Sequence, residues 1–195
     1  MMTIVYIHGA SATSESFARI REHIHKPDMA IDYDSSKGFC NNLKRMKEML
    51  DDEEKLFFVG HSLGGIYALH LADHFYSKTL GGITLSTPYG GSKEADFARY
   101  FLPFSRLMRD IGPHSEPMAT VKNLKIPKIW TNVVTIKGQS PWIMEPNDGI
   151  VTIESQRAQK GMEFVEVELN HYEVVIASRT IDLIKSQLSR TPIGG

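Results

Sequence analysis

Short runs of β-branched and aromatic residues alternate along the chain with longer stretches whose apolar positions recur every three or four residues. That is the pattern of strands interleaved with amphipathic helices. The apolar runs predict strands at 3–7, 29–33, 56–60, 82–86, 128–136 and 164–169. Leu56, Phe57, Phe58 and Val59 are continuously apolar, as a central strand covered on both faces should be. The last run, from Phe164 to Leu169, alternates with Glu166 and Glu168 and suits a sheet edge.

Helices are predicted between these runs. The stretch 14–24 carries Phe17, Ile20 and Ile24 on one face, with Ser14 as its N-cap. The next, 41–50, carries Leu43, Met46, Met49 and Leu50; 63–75 follows the third strand at once, and 152–158 is short. A long helix at 172–188 would align Val175, Ile176, Ile181, Ile184 and Leu188. The alternation predicts an α/β protein in one domain spanning 1–195, with a mostly parallel sheet of about six strands flanked by helices.

One stretch breaks the pattern. From Gly90 through Pro127 the chain carries four prolines (Pro103, Pro113, Pro117, Pro127) and an apolar cluster that includes Phe97, Tyr100, Phe101, Phe104 and Leu107. A crossover helix needs less, so 91–122 reads as a helix plus a surface excursion inside the domain.

The bulk numbers remove several classes of function. With 195 residues, 42% hydrophobic and 23% charged, the chain is an ordinary globular length and composition. Its 22 basic and 23 acidic residues give a net charge of -1, without a basic run; nucleic acid is excluded as a partner. Cys40 is the single cysteine, which rules out an intrachain disulfide scaffold. The opening run from Ile4 to Ile7 is too short for a signal h-region and lacks a basic flank, and no stretch approaches ~20 apolar residues. A cytoplasmic protein with no integral membrane segment is expected. Its oligomeric state is not encoded here.

The chemistry concentrates in Gly60-His61-Ser62-Leu63-Gly64, a G-x-S-x-G motif between an apolar strand and a helix. A serine on such a sharp turn presents its Oγ outward, and only glycine fits two residues before and after it. Helix N–H groups beneath the serine point where an oxyanion would form. No Lys follows these glycines in a GK[ST] pattern, so a phosphate-binding loop is excluded. His61 should point away from Ser62 and be structural.

On these residues and three further segments, the chain resembles the α/β-hydrolase superfamily, and within it the small lipase and esterase branch. Ile7-His8-Gly9-Ala10 is similar to the oxyanion segment, which implies backbone N–H donors at Ala10 and Leu63. Asn147-Asp148-Gly149 is similar to the acid-bearing loop, and Asn170-His171-Tyr172 to the base-bearing one. Serine, acid, histidine is the chain order of that fold. The resemblance implies Ser62 as nucleophile, His171 as base and Asp148 as its orienting acid, acting on a small-molecule or lipid acyl ester without a metal or organic cofactor. The sheet would lack the superfamily's first antiparallel pair.

Other features remain open at this level. Ser86-Thr87-Pro88-Tyr89-Gly90 is either a strand-ending turn or a substrate contact. Phe97, Phe101, Leu107, Tyr89 and Trp142 are candidate acyl-pocket residues, and 91–122 is either a partial lid or ordinary core cover. His70 and His74 stand at i and i+4, but the Glu of a zinc-protease motif is replaced by Leu71 and no third ligand is evident. Three functions share the signature: an esterase or lipase-like hydrolase, a thioesterase or acyltransferase with the same triad, and a non-catalytic receptor on the hydrolase fold.

Overall fold

The run from Leu56 to Val59 is fully buried because it lies mid-sheet with helices on both sides. The structure is a computed structural model and describes residues 1–91, 116–140 and 143–192. Phe97, Phe101, Leu107 and Trp142 lie outside the described residues, as does most of 91–122.

Six parallel strands form one sheet: β1 (Met2–Ile7), β2 (Asp28–Ile31), β3 (Lys55–His61), β4 (Thr79–Leu85), β5 (Trp130–Thr135) and β6 (Glu163–Val167). Their order is β2-β1-β3-β4-β5-β6. The described helices are α1 (Ala18–Ile24), α2 (Phe39–Leu50), α3 (Leu63–His74), α4 (Glu116–Val121), α5 (Ile153–Gln156) and α6 (Ser178–Ser189).

Alternate residues of each strand feed two cores, as the two-residue period of a strand requires. Val5, Ile7, Leu56 and Phe58 pack with Met46, Leu50, Ile66, Leu69, Met118 and Val121, so α2, α3 and α4 cover one face. Ile4, Tyr6, Phe57 and Val59 pack with Ile20, Ile24, Ile181, Ile184 and Leu188, which puts α1 and α6 on the other. Each fully buried side chain of this kind contributes roughly 1.5–3 kcal/mol against exposure.

The chain moves from β1 out to β2, returns past β1 to β3, and then runs on to β6. Between β1 and β3 the winding reverses, and in such sheets the crevice outside the strand carboxyl ends is where ligands bind. Ile7 pairs with Gly60 in register, so the segment after β1 and the turn after β3 emerge side by side at that point.

Three local expectations are corrected. Ser14 is not an N-cap; Thr13 holds that position in an extended conformation, and Ser14 donates its N–H and hydroxyl to the Asp32 carboxylate at 2.7 and 2.8 Å. The predicted helix 172–188 is two pieces, a 3-10 turn at Glu173–Val175 and α6, separated by an extended Ala177. Ile176 consequently faces solvent instead of the core. The second strand ends at Ile31, because Tyr33 turns inward and stacks on His8 with ring centroids 4.3 Å apart.

Candidate active site

Ser62 stands between β3 and α3 with φ 52 and ψ -123. A non-glycine residue held there is strained by roughly 1–3 kcal/mol, a cost met by the packing around it. Its neighbours explain the glycines of the motif. A Cβ on Gly64 would lie 2.0 Å from the Ile7 carbonyl oxygen, and one on Gly60 would lie 2.7 Å from the Gly64 oxygen. The turn therefore needs bare backbone to approach β1. Ser62 N–H donates to the Leu85 carbonyl at 2.9 Å, tying the turn to β4.

The segment after β1 sits against this turn: a Cβ on Gly9 would lie 3.2 Å from Ser62 Cβ. Ala10 is nearly buried and Leu63 is the first residue of α3, where helical N–H groups have no intrahelical partner. His8 is buried and held on all sides. Its ring Nδ1 donates to the Gly9 carbonyl at 2.7 Å, so its Nε2 is bare and accepts from Tyr33 N–H at 3.3 Å. The Tyr33 hydroxyl donates to the His8 carbonyl at 3.0 Å. Burial keeps the His8 ring neutral by pushing its pKa down, against the hydrogen bond to Gly9 and the nearby Asp32.

Asp148 and His171 are brought together from loops 23 residues apart, with His171 Nδ1 2.8 Å from Asp148 Oδ2. His171 N–H also donates to the Asp148 carbonyl at 3.1 Å. The carboxylate is saturated with donors. Ile150 and Val151 N–H reach Oδ1 at 3.0 and 2.7 Å; the Thr135 hydroxyl and the Gln156 amide reach Oδ2 at 2.6 and 3.2 Å. Burial alone would raise the carboxyl pKa, but the hydrogen bond and charge of His171, with Thr135 and Val151, hold it below its usual value.

Thr135 and Gln156 belong to none of the sequence motifs, and Ser86, open in sequence between a strand-ending turn and a substrate contact, joins the same buried network. Gln156 Oε1 accepts Thr135 N–H at 2.9 Å, which fixes the amide and turns its Nε2 toward Asp148. Since the single Thr135 proton goes to the carboxylate, Ser86 Oγ donates to Thr135 Oγ1 at 2.7 Å. The signal was polarity in the wrong place: Thr131, Asn132 and Thr135 are buried in β5, where an unpaired polar group is costly.

The loop that carries His171 is also joined to β3. His61 Nε2 lies 2.9 Å from the His171 carbonyl oxygen, and the two rings are 4.9 Å apart between centroids. Tyr89, expected as pocket wall, is instead a core residue with no exposed surface, its hydroxyl bonded to Thr84 at 2.9 Å and to Trp130 at 3.3 Å. Met144 is almost fully exposed. It lines an open hollow of about 580 Å³ formed by Gly138, Gln139, Ser140 and the segment from Ile143 to Asn147, and neither Ser62 nor His171 lines it. Among the described residues no cluster of His, Cys, Asp or Glu is placed to hold a metal ion, and no helix is long and apolar enough to cross a membrane.

No family model matches this sequence, and no curated protein does. Solved structures do match. A lipase of Bacillus licheniformis in its mature form superposes with a TM-score of 0.67 at 16% identity, over 95% of this chain and 91% of that one. A pyrethroid hydrolase of Sphingobium faniae gives 0.66 at 14% identity, over 97% and 98%. An enol-lactonase of Burkholderia xenovorans gives 0.67 at 14%, over 96% and 91%. At such identities the likeness is one of fold.

Proposed function

From the α/β-hydrolase fold, which this chain has, we propose that the protein is a serine hydrolase cleaving carboxylic esters through an acyl-enzyme. Ser62 is the nucleophile, His171 the general base and Asp148 its orienting acid. The observation that carries this reading is the strained backbone of Ser62 at the strand–helix junction, at the sheet's switch point. Support comes from the His171–Asp148 hydrogen bond on the neighbouring loops and from the lipase, pyrethroid hydrolase and enol-lactonase that share the fold.

In this mechanism His171 Nε2 removes the Ser62 proton as Oγ attacks the acyl carbon. The Asp148 bond requires Nδ1 to carry the ring's proton, which leaves Nε2 free to accept one. The carbonyl π electrons move onto oxygen, and that oxyanion rests on the N–H groups of Ala10 and Leu63. Collapse of the tetrahedral adduct expels the alcohol, which takes its proton from the His171 imidazolium. Water then attacks the acyl-enzyme with His171 again as base, releasing the acid and restoring Ser62. Asp148, with its donors, is ionised throughout and stabilises the imidazolium.

The test is turnover of short p-nitrophenyl esters together with labelling by a fluorophosphonate. Wild type should hydrolyse and label; Ser62→Ala should lose labelling and about 10³-fold or more in kcat. Turnover near wild type in Ser62→Ala rejects the nucleophile, and a wild type that neither labels nor hydrolyses is a binding protein.

A further inference from the structure

We propose that His61 is a positioning residue: its Nε2–H, bonded to the His171 backbone carbonyl, sets the base relative to the turn that carries Ser62. The proposal rests on the serine-hydrolase reading above.

The argument begins with the tautomer. A carbonyl oxygen only accepts, so the 2.9 Å contact requires the proton on His61 Nε2. Nδ1 is then bare, and it is buried with no hydrogen-bond partner. It faces the chain after β1, where a Cβ on Gly9 would come within 3.1 Å. A buried ring atom left unsatisfied is unfavourable, so the ring's use at this position lies in its other nitrogen. Burial, with the neighbouring His171, lowers the His61 pKa to about 3; the bond does not titrate near neutrality.

Topology gives that bond its consequence. Among the described residues, the other two hydrogen bonds of His171, from N–H to the Asp148 carbonyl and from Nδ1 to the carboxylate, both end on the Asp148 loop. Base and acid thus form one unit. Among the described residues, the hydrogen bond joining that unit to β3 is the one from His61, the residue directly before the nucleophile and 110 positions away from His171 in sequence. The tilted ring contact with His171 limits the same unit laterally. Remove the Nε2 donor and the base keeps its tautomer but loses its registration against Ser62. A misplacement of this kind costs rate while leaving substrate binding intact.

The replacements separate geometry from bulk. In His61→Gln the amide nitrogen reaches the place of Nε2; in His61→Asn it stops near Nδ1; His61→Leu keeps apolar volume with no donor. On a p-nitrophenyl ester, His61→Asn and His61→Leu should lose about tenfold or more in kcat with KM within about twofold, and His61→Gln should recover most of it. The rate of fluorophosphonate labelling should fall in parallel with kcat. A kcat in His61→Leu within about twofold of wild type overturns the proposal, as does a loss that follows melting temperature across the three variants regardless of the donor. Nitrogen-15 shifts of the wild-type ring give an answer independent of variant folding: His61 should be the Nε2–H tautomer, and an Nδ1–H tautomer overturns the proposal. Ser62→Ala in the same assay keeps the two readings apart, since retained turnover there rejects the hydrolase while its loss, beside an unaffected His61→Leu, rejects only the positioning role.

Discussion

Thr135 Oγ1 lies 2.6 Å from Asp148 Oδ2, at the carboxyl end of β5 and directly under the acid. With Gln156 on the same oxygen and two backbone N–H groups on the other, the loop at Asp148 is a receptacle for one negative charge. Its side-chain members were assembled from β5 and α5.

Thr135→Val keeps the shape and removes the donor, and Gln156→Leu removes the amide. Each should cost about 1.5–3 kcal/mol of stability at neutral pH, the range for a hydrogen bond to a charged group. The sign of the pH dependence follows from the depressed Asp148 pKa. Its stabilisation is present above the unfolded value of 3.8 and is lost as pH falls through the folded value. The gap between wild type and Thr135→Val in urea titrations should therefore narrow below pH ~4; a gap constant from pH 7 to 3 means that the hydroxyl does not serve the carboxylate.

His8 addresses the other side of the site. Its Nδ1 holds the Gly9 carbonyl at 2.7 Å, and in a trans peptide the following N–H, that of Ala10, points the opposite way. His8→Asn retains a donor near Nδ1, whereas His8→Gln retains only the group near Nε2. Asn should keep more kcat than Gln, with losses for Gln bounded by the ~10²–10³ that an oxyanion donor contributes. Equal kcat values in the two variants would remove His8 from any role in aiming that N–H.

Acid stability should carry the mark of His61. Its pKa falls from 6.5 in the unfolded chain to about 3 in the fold, chiefly by burial. The unfolded state therefore binds the extra proton between those values; the stabilisation is complete above pH 6.5 and declines as pH falls toward 3. One proton corresponds to a slope of about 1.4 kcal/mol per pH unit. In denaturant titrations from pH 6 to 4, His61→Gln should be flatter than wild type by about that amount. Parallel slopes would mean that the ring is charged in the fold.

Two glycines should be intolerant of any side chain. A Cβ on Gly64 meets the Ile7 carbonyl at 2.0 Å, and one on Gly138 meets the Asp148 carbonyl carbon at the same distance. Backbone cannot give way as a side chain can, so each Ala variant should lose about 1–3 kcal/mol or more. Gly138→Ala pushes on the acid loop itself and should lower kcat beyond its effect on melting temperature. If it melts like wild type and turns over normally, the loop has slack that the structure does not show.

Hydrophobic periodicity alone determined much of this protein. The continuous burial of β3, the exposed Glu163 and Glu166 of the edge strand β6 and the buried stripe of α2 are local consequences of side-chain spacing, and the expected strands match the observed six within a few residues. The turn at Ser62 was legible for the same kind of reason, because steric demand for glycine on both sides of a sharp turn is written in adjacent residues. Long-range partners leave no such trace. That Asp148 would take donors from Thr135 and Gln156, that Tyr89 would turn into the core to meet Thr84 and Trp130, and that His61 would reach a carbonyl 110 residues away depended on how β3, β4 and β5 lie beside one another. A polar side chain states in the sequence only that it needs a partner; the packing of the strands decides which partner it meets.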